Sequence, residues 1–585
     1  MPYHQPVERG REQQDEPAAR PRAAGPMGVL DVQRLAGNQA MRSLMTPVVV
    51  QRFESDEHLR LGDQGADRAH AEMVPLAPGY QVTYGEMIAM AGDFFGSLSQ
   101  LQGIAQVPGT GAGTREEIEY VRVVKVHGDK SKKDSYSESA VRAADHRYYE
   151  LALSNRSHFV NPEGEAGDTA GRAEGAHQEL RLQWTGILPG FVSELVIPRA
   201  GAGYRHYHME ALFQAYVAGF EGQGIEGALA PEAFGAHYLT DAFSGGHLRT
   251  ARSSIQDYWN PKVPMFGYNL TGWIAQELAA RIGDAHWYGR DVAYHGVPWQ
   301  AGAFEQVASK LAEKGALGFG DVVSGTIHDL DSERGVLADV NGQRIQLMGD
   351  GHLGGDTERV AVEAVNYSHN DLTRAWLIGR RRGPLQDVLP DVTAGKVLGA
   401  EQMLPNVVPD NELPDNQKSV QWEVASALDL LSDPTFQRGL RIFGVNKANE
   451  LAEVANTLEP DVRPHFDPAV VQPFRTDPVT TLRKVLNWTP NTGGGLLGHN
   501  QDDNALDYYN EASGKNAVGT LTVKQRVDLI RNLLDGYTSG EEENAAFDIL
   551  TANSSHSQDV IRQVGWDRLE DELGNRFSNR FPKSS

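Results

Sequence analysis

The segment of residues 236–248, AHYLTDAFSGGHL, constrains the fold most, because three polar side chains occur in it at a fixed spacing. His237 and Asp241 lie four residues apart, which places them on one face of a helix. The Ser-Gly-Gly sequence that follows predicts that the helix ends there and that His247 folds back towards the same face. Two imidazoles and a carboxylate that meet at one point are typical ligands of a divalent cation, most often zinc. The other interpretation is a buried His–Asp pair on an apolar helix.

This spacing resembles the core motif of the zinc-dependent phospholipase C and single-strand-specific zinc nuclease superfamily, which has the same change from helix to turn. Three further segments follow the family's order, so the resemblance covers about residues 53–375. His58 resembles its first histidine, Asp93 its aspartate that is both ligand and general base, and His158 the histidine of its His-Phe segment. The resemblance implies a multi-helix phospholipase C-like bundle that binds about two or three zinc ions.

The chain departs from this family at the second metal. The family continues with His-x3-Glu, whereas Arg290 occupies the fourth position after His286 and the carboxylate of Asp291 comes one residue later. The family also uses a mature N-terminal amine as a ligand, which Glu57 could replace here. We expect one well-formed site from Asp93, His158, His237 and Asp241, and a second site from His247 and His286. Additional ligands could be Glu57, Asp291, Asp350 and His352.

The composition restricts the possible partners. The 54 basic and 78 acidic side chains give a net charge of −24, which disfavours a protein that coats nucleic acid. This charge does not exclude a nuclease, because metal ions supply positive charge locally. The chain has no cysteine, so a metal site must use histidine and carboxylates. No apolar run is long enough to span a bilayer, and the first residues lack the pattern of a signal peptide.

Residues 1–52 differ in composition from the rest of the chain. Residues 1–27 are rich in Gln, Glu, Arg, Pro and Ala, which predicts disorder, and apolar positions between Leu30 and Met45 predict a short amphipathic helix. The pattern VQR-x-x-GN-x-A-x-x-x-L, followed by a second VQR, resembles the leader of proteins associated with bacterial extracellular contractile injection systems. It implies a protein that is cytoplasmic in the producing cell, binds tube or sheath components through residues 1–52 and is then delivered by the particle. The alternative is a helical arm that packs on the metal domain.

We expect a mainly α-helical fold with a β-hairpin insertion and a small helical module near the C-terminal end. Helical periodicity predicts helices over residues 84–92, 140–153, 207–220, 232–243, 267–282 and 360–377. Two alternating runs joined by Asn341-Gly342 predict the hairpin over residues 335–348. Capping boxes that begin at Thr522 and Ser539 predict two of the later helices. The predicted units are residues 1–52, a metal domain over 53–383, a linker or arm over 384–418, and a helical region over 419–585.

These ligands predict hydrolysis of a phosphodiester, because zinc lowers the pKa of bound water and Asp93 could orient or deprotonate that water. We expect a phospholipase C-like effector or toxin that acts on a phospholipid head group. The first alternative is a nuclease that uses the same metals. The aromatic residues that could stack a base in that case are Phe94, Phe95, Phe159 and Trp287. The second alternative is a non-catalytic structural or adaptor protein with a degenerate metal fold, which Arg290 favours.

Overall fold

The structure, a computed structural model, describes residues 55–66, 73–154, 201–284, 318–388, 400–455, 463–490, 501–535 and 538–583. These residues are mainly α-helical, which confirms the predicted fold class at that level. Within these segments, no helix combines the length and apolar character that crossing a membrane requires. The predicted leader, residues 1–52, lies outside the described residues, as do the predicted ligands His158, His286 and Asp291.

Six helices predicted from periodicity are present, with ends shifted by a few residues. The α-helices of the first part are α1 (Ser55–Ala66), α2 (Tyr84–Met90), α3 (Leu98–Ala105), α4 (Arg115–Tyr120), α5 (Glu138–Ser154), α6 (Gly201–Glu221), α7 (Leu229–Asp241), α8 (Gly245–Arg249), α9 (Arg252–Trp259), α10 (Phe266–Asp284), α11 (Phe319–Arg334) and α12 (Gly355–Arg380). A π-helix over Val121–Val126 continues α4. The confirmed helices are α2, α5, α6, α7, α10 and α12.

The second part of the described chain is also helical. Its α-helices are α13 (Ala427–Leu430), α14 (Pro434–Ala455), α15 (Arg463–Phe466), α16 (Gln472–Thr476), α17 (Pro478–Leu486), α18 (Gln501–Gly514), α19 (Val523–Leu533), α20 (Gly540–Thr551), α21 (Ser554–Val564) and α22 (Trp566–Arg580). The predicted capping boxes are formed: the Thr522 and Ser539 hydroxyls accept from the third residue of α19 and α20, and the side chains of those residues accept in return. Both helix starts are therefore confirmed.

Two antiparallel hairpins occur among the described residues. Strands β3 (Val336–Val340) and β4 (Gln343–Leu347) form the hairpin predicted from Asn341-Gly342. Both turn residues have positive φ, 46° and 78°, as a two-residue hairpin turn of this kind requires. The other hairpin joins β1 (Met73–Ala77) to β2 (Tyr80–Thr83) and was not predicted from the sequence.

The hydrophobic interior forms two cores. One contains buried residues of α1, α2, α6, α7, the β3–β4 hairpin and α12. The other joins α9, α10 and α11 to the helices that follow residue 419, so that Trp259 and Phe319 share a core with Phe436 and Ile530. Packing therefore continues across the predicted boundary at residue 383. The domain boundaries themselves stay a prediction.

The segment over residues 400–418, predicted as part of a linker or arm, lies along the hairpin. Its short strand β5 (Asn406–Val407) pairs with β3, and the backbone N–H of Val408 donates to the carbonyl of Leu337 at 3.0 Å. Buried Met403 belongs to the same core as the hairpin. These contacts fix the hairpin from its second edge.

Helices α6 and α12 approach each other closely through two glycines. A Cβ atom at Gly379 would lie 2.1 Å from the carbonyl oxygen of Tyr216, and one at Gly219 would lie 2.1 Å from that of Trp376. Both obstacles are backbone atoms, which cannot move aside as a flexible side chain could. A methyl group at either position would have to push the two helices apart.

We predict that Gly379→Ala lowers the free energy of unfolding by about 1–3 kcal/mol, because the added methyl group overpacks the α6–α12 contact. The matched control is Gly103→Ala on α3, where a Cβ atom meets nothing within 4 Å. In the control, alanine's better helix propensity should leave the stability unchanged or raise it. Urea denaturation checks both variants, and equal midpoints would contradict the predicted close contact.

Candidate metal centre

Asp241, the last residue of α7, places its carboxylate between three imidazoles. Its Oδ1 lies 3.4 Å from Nε2 of His58 and 3.3 Å from Nδ1 of His247, and its Oδ2 lies 3.4 Å from Nε2 of His237. All four side chains are buried. The predicted helix-then-turn motif therefore does bring its two histidines to one carboxylate, and α1 adds the histidine predicted from the order of segments.

Asp93 lies in the turn after α2, next to the same imidazoles. The Thr83–Glu86 capping box starts α2, and the turn at Gly92, with a φ of 69°, ends it. This turn places Oδ1 of Asp93 4.0 Å from Nε2 of His237. His58, Asp93 and His237 form a first group of possible metal ligands, with one ligand atom from each lying within 4.8 Å of the others.

His247 reaches the site through a turn that only glycine fits. A Cβ atom at Gly245 would lie 2.5 Å from the carbonyl oxygen of Leu347, and one at Gly246 would lie 2.5 Å from the His328 ring. The backbone N–H of Gly245 also donates to the carbonyl of Met348 at 3.1 Å. The glycines thus let α8 pack against the hairpin and α11, which places the His247 and His328 rings 5.1 Å apart.

A second group contains His247, His328 and Asp350. Nε2 of His328 lies 3.3 Å from Oδ2 of Asp350, whose Oδ1 accepts a hydrogen bond of 3.1 Å from the Ser244 hydroxyl. Asp350 follows the hairpin and was predicted as a possible ligand. His328, in α11, was not predicted, because its position beside His247 depends on tertiary packing. The one feature of the local sequence that could have indicated this ligand is the His328-Asp329 pair in the helix before the hairpin.

Hydrogen bonds assign the tautomers of the first two histidines. Nδ1 of His237 must donate to the carbonyl of Ile88, at 3.0 Å, because a carbonyl oxygen only accepts. The Thr240 hydroxyl donates to the carbonyl of His237 at 2.8 Å, so it accepts from Nδ1 of His58, also at 2.8 Å. In each neutral ring the lone pair is then on Nε2, the atom that faces Asp241.

His328 is held in the same way by a carboxylate. Its Nδ1 lies 3.1 Å from Oδ1 of Asp329, and its Nε2 faces Asp350. A histidine whose second ring nitrogen donates to a carboxylate is the usual arrangement of a histidine metal ligand, because the hydrogen bond fixes the ring and raises its basicity.

The separations between the possible ligand atoms fit a metal. Around a tetrahedral zinc ion with bonds of about 2.0–2.2 Å, neighbouring ligand atoms lie about 3.3–3.6 Å apart. The three imidazole contacts of Asp241 and the His328–Asp350 contact are 3.3–3.4 Å. Hydrogen bonds between the same atom types are typically shorter, 2.7–3.2 Å. The donor set, imidazole nitrogen and carboxylate oxygen, is also one that zinc prefers.

The site concentrates negative charge in the interior. Five of its carboxylates are at most 6% exposed: Glu57, Asp93, Asp241, Asp329 and Asp350. Burial raises the pKa of Asp350 well above its usual range, and the nearby carboxylates of Glu57, Asp241 and Asp329 raise it further. Buried like charges are costly, and one or two divalent cations would offset them.

Two of the predicted additional ligands, Glu57 and His352, lie outside both groups of possible metal ligands. Glu57 accepts hydrogen bonds from the backbone N–H groups of Gly351, at 3.2 Å, and Leu353, at 3.0 Å, so it fixes the turn that carries Asp350. His352 is exposed. Neither belongs to the two groups found among the described residues. Their assignment as ligands stays a prediction that this geometry does not support.

In comparisons with known proteins, no family model, no curated protein and no solved structure matches the chain.

We predict that His328→Ala lowers the zinc content by about one equivalent per chain, because it removes a ligand of the second group and leaves the first intact. The matched control is His352→Ala, which makes the same change at the exposed histidine in the turn after the hairpin. Elemental analysis of zinc after extensive dialysis is the measurement. A His328→Ala protein with the zinc content of the unchanged chain would show that this histidine is not a ligand.

Proposed function

We propose that the chain is a zinc-dependent phosphodiesterase of the phospholipase C type. The observation that carries this proposal is the buried Asp241 carboxylate, which lies 3.3–3.4 Å from three imidazoles and joins the two ligand groups. A divalent cation bound there would supply Lewis acidity towards a phosphoryl oxygen and would make water nucleophilic near neutral pH. Two adjacent cation sites suit phosphoryl chemistry, in which both the attacking and the leaving oxygen need stabilisation.

We assign the role of general base to Asp93. Its carboxylate is 4% exposed and lies 4.0 Å from Nε2 of His237, further away than the 3.4 Å of Asp241. That position at the edge of the first group suits a carboxylate that orients an attacking water and accepts its proton. His58 and His237 present ring nitrogens to the same place and are held there by Thr240 and Ile88.

A phospholipid head group suits the described residues better than a nucleic acid. Phe94 and Phe95, two of the aromatic residues that could stack a base, are buried. Phe94 stacks on Tyr148 with ring centroids 5.1 Å apart, and the guanidinium of Arg147 lies over the Phe95 ring at 5.4 Å. Their faces are therefore already used inside the protein. The net charge of −24 also disfavours a polyanionic substrate.

We predict that the zinc-loaded chain releases phosphocholine or a related head group from phospholipid vesicles. Asp93→Asn should lower this rate about 10²–10⁴-fold without unfolding the protein, because the amide cannot accept the proton. The control is Asp134→Asn, the same change at an exposed residue. Head-group release, with and without a chelator, is measured chromatographically.

Two results would contradict this function. A metallated chain that is inert towards phospholipid and towards single-stranded nucleic acid would favour the non-catalytic adaptor. Cleavage of nucleic acid alone would favour the nuclease.

We also propose that the enzyme is cargo of a contractile injection particle, docked through residues 1–52. The support for this proposal is the sequence pattern of residues 32–52 alone. These residues lie outside the described part of the structure. Deletion of residues 1–52 should leave zinc binding and the circular dichroism spectrum unchanged but prevent packaging. Comparison of particle-associated protein for the two chains checks this, and equal packaging would refute the leader.

A further inference from the structure

Helix α14, in the second hydrophobic core, contacts the helix that carries His328. A Cβ atom at Gly439 of α14 would lie 2.7 Å from the carbonyl oxygen of Thr326 in α11, so the two helices touch through their backbones. About two turns further along α14, the side-chain amide of Asn446 donates to Oδ2 of Asp329 at 2.9 Å. A residue beyond position 419 thus reaches a carboxylate of the candidate metal centre.

Asp329 connects Asn446 to His328. Its Oδ1 lies 3.1 Å from Nδ1 of His328, while its Oδ2 accepts from Asn446. Because one oxygen contacts His328 and the other contacts Asn446, the Asp329 carboxylate cannot rotate without losing one of these contacts. The plane of Asp329 then sets the direction in which Nε2 of His328 points, which is towards Asp350.

The end of the predicted linker or arm, just before residue 419, is also tied to the ligand helices. Arg249, two residues after His247, makes a two-point contact with buried Asp331 of α11, at 2.7 and 3.2 Å. Its Nη1 donates to the carbonyl of Gln417 at 2.7 Å. Arg334, at the end of α11, contacts the same carboxylate and donates to the carbonyl of Lys418 at 2.8 Å. Both helices that supply imidazoles to the second group are therefore held by the backbone carbonyls of Gln417 and Lys418.

We propose that Asn446 is a positioning residue for the second metal group, so that the helical region after residue 419 sets the metal affinity of His247, His328 and Asp350 without supplying a ligand. This inference rests on the proposed metal centre. We expect the first group, formed by His58, Asp93 and His237, to keep its affinity, because the path from Asn446 runs through Asp329 to His328 of the second group. The region after residue 419 is then part of the support of the site.

The test is metal titration of the full-length Asn446→Leu protein. Leucine has nearly the shape of asparagine but cannot donate to Asp329. Loss of such an outer hydrogen bond typically weakens metal binding about 10–100-fold, and we expect this loss at one of two sites only. The matched control is Asn449→Leu, one turn further along α14, where the side chain is exposed and accepts from Arg475. Asn446→Gln, which keeps an amide donor, should restore part of the affinity.

Cobalt(II) serves as the probe, because its visible spectrum reports the geometry of each site as well as its occupancy. We expect the spectrum of the weaker site alone to change in Asn446→Leu, while Asn449→Leu leaves the spectra of both sites unchanged. Equal loss at both sites would show a general structural role and overturn the inference. If Asn446→Leu binds metal at both sites with unchanged affinity, the positioning role of Asn446 is overturned and the proposed function is not. If the chain without any substitution binds no metal, both the positioning role and the proposed function are overturned.

Discussion

The candidate metal centre depends on one buried carboxylate, that of Asp241, which contacts imidazoles from three separate segments of the chain. Burying a carboxylate is costly unless charge or hydrogen bonds compensate for it. Three elements place an imidazole next to the Asp241 carboxylate: α1 supplies His58, α7 supplies His237, and the glycine turn supplies His247. Four further buried carboxylates surround this arrangement. Such a surplus of negative charge suits a site for divalent cations.

The parts of the site that could be predicted from the sequence are those that local geometry determines. A four-residue step on a helix fixes the relation of His237 to Asp241, and a Gly-Gly turn is needed wherever the chain must fold back past a neighbouring backbone. The β3–β4 hairpin was predictable for the same reason, because Asn341-Gly342 adopts the positive φ angles that the turn requires. His58 and Asp93 were predicted from the order of segments along the chain, and both lie beside His237.

The parts that could not be predicted depend on packing between distant segments. His328 is more than 80 residues from His247, and its ring arrives there because α8 fits between the hairpin and α11. Asp350 and His352 are near neighbours in sequence, yet one is buried in the second group and the other is exposed. The role of Glu57 was also hidden, because its partners are backbone N–H groups almost 300 residues away. The β1–β2 hairpin was missed because both strands are short and β1 contains Pro75.

The central claim is that two adjacent cation sites share Asp241, and anomalous diffraction at the zinc edge tests it most directly. A crystal of the full chain grown with zinc should give two anomalous peaks, one among His58, Asp93, His237 and Asp241 and one among Asp241, His247, His328 and Asp350. Both peaks should lie within about 2.0–2.2 Å of the ligand atoms. A crystal with zinc bound elsewhere, and with hydrogen bonds rather than metal between Asp241 and its imidazoles, would contradict the claim.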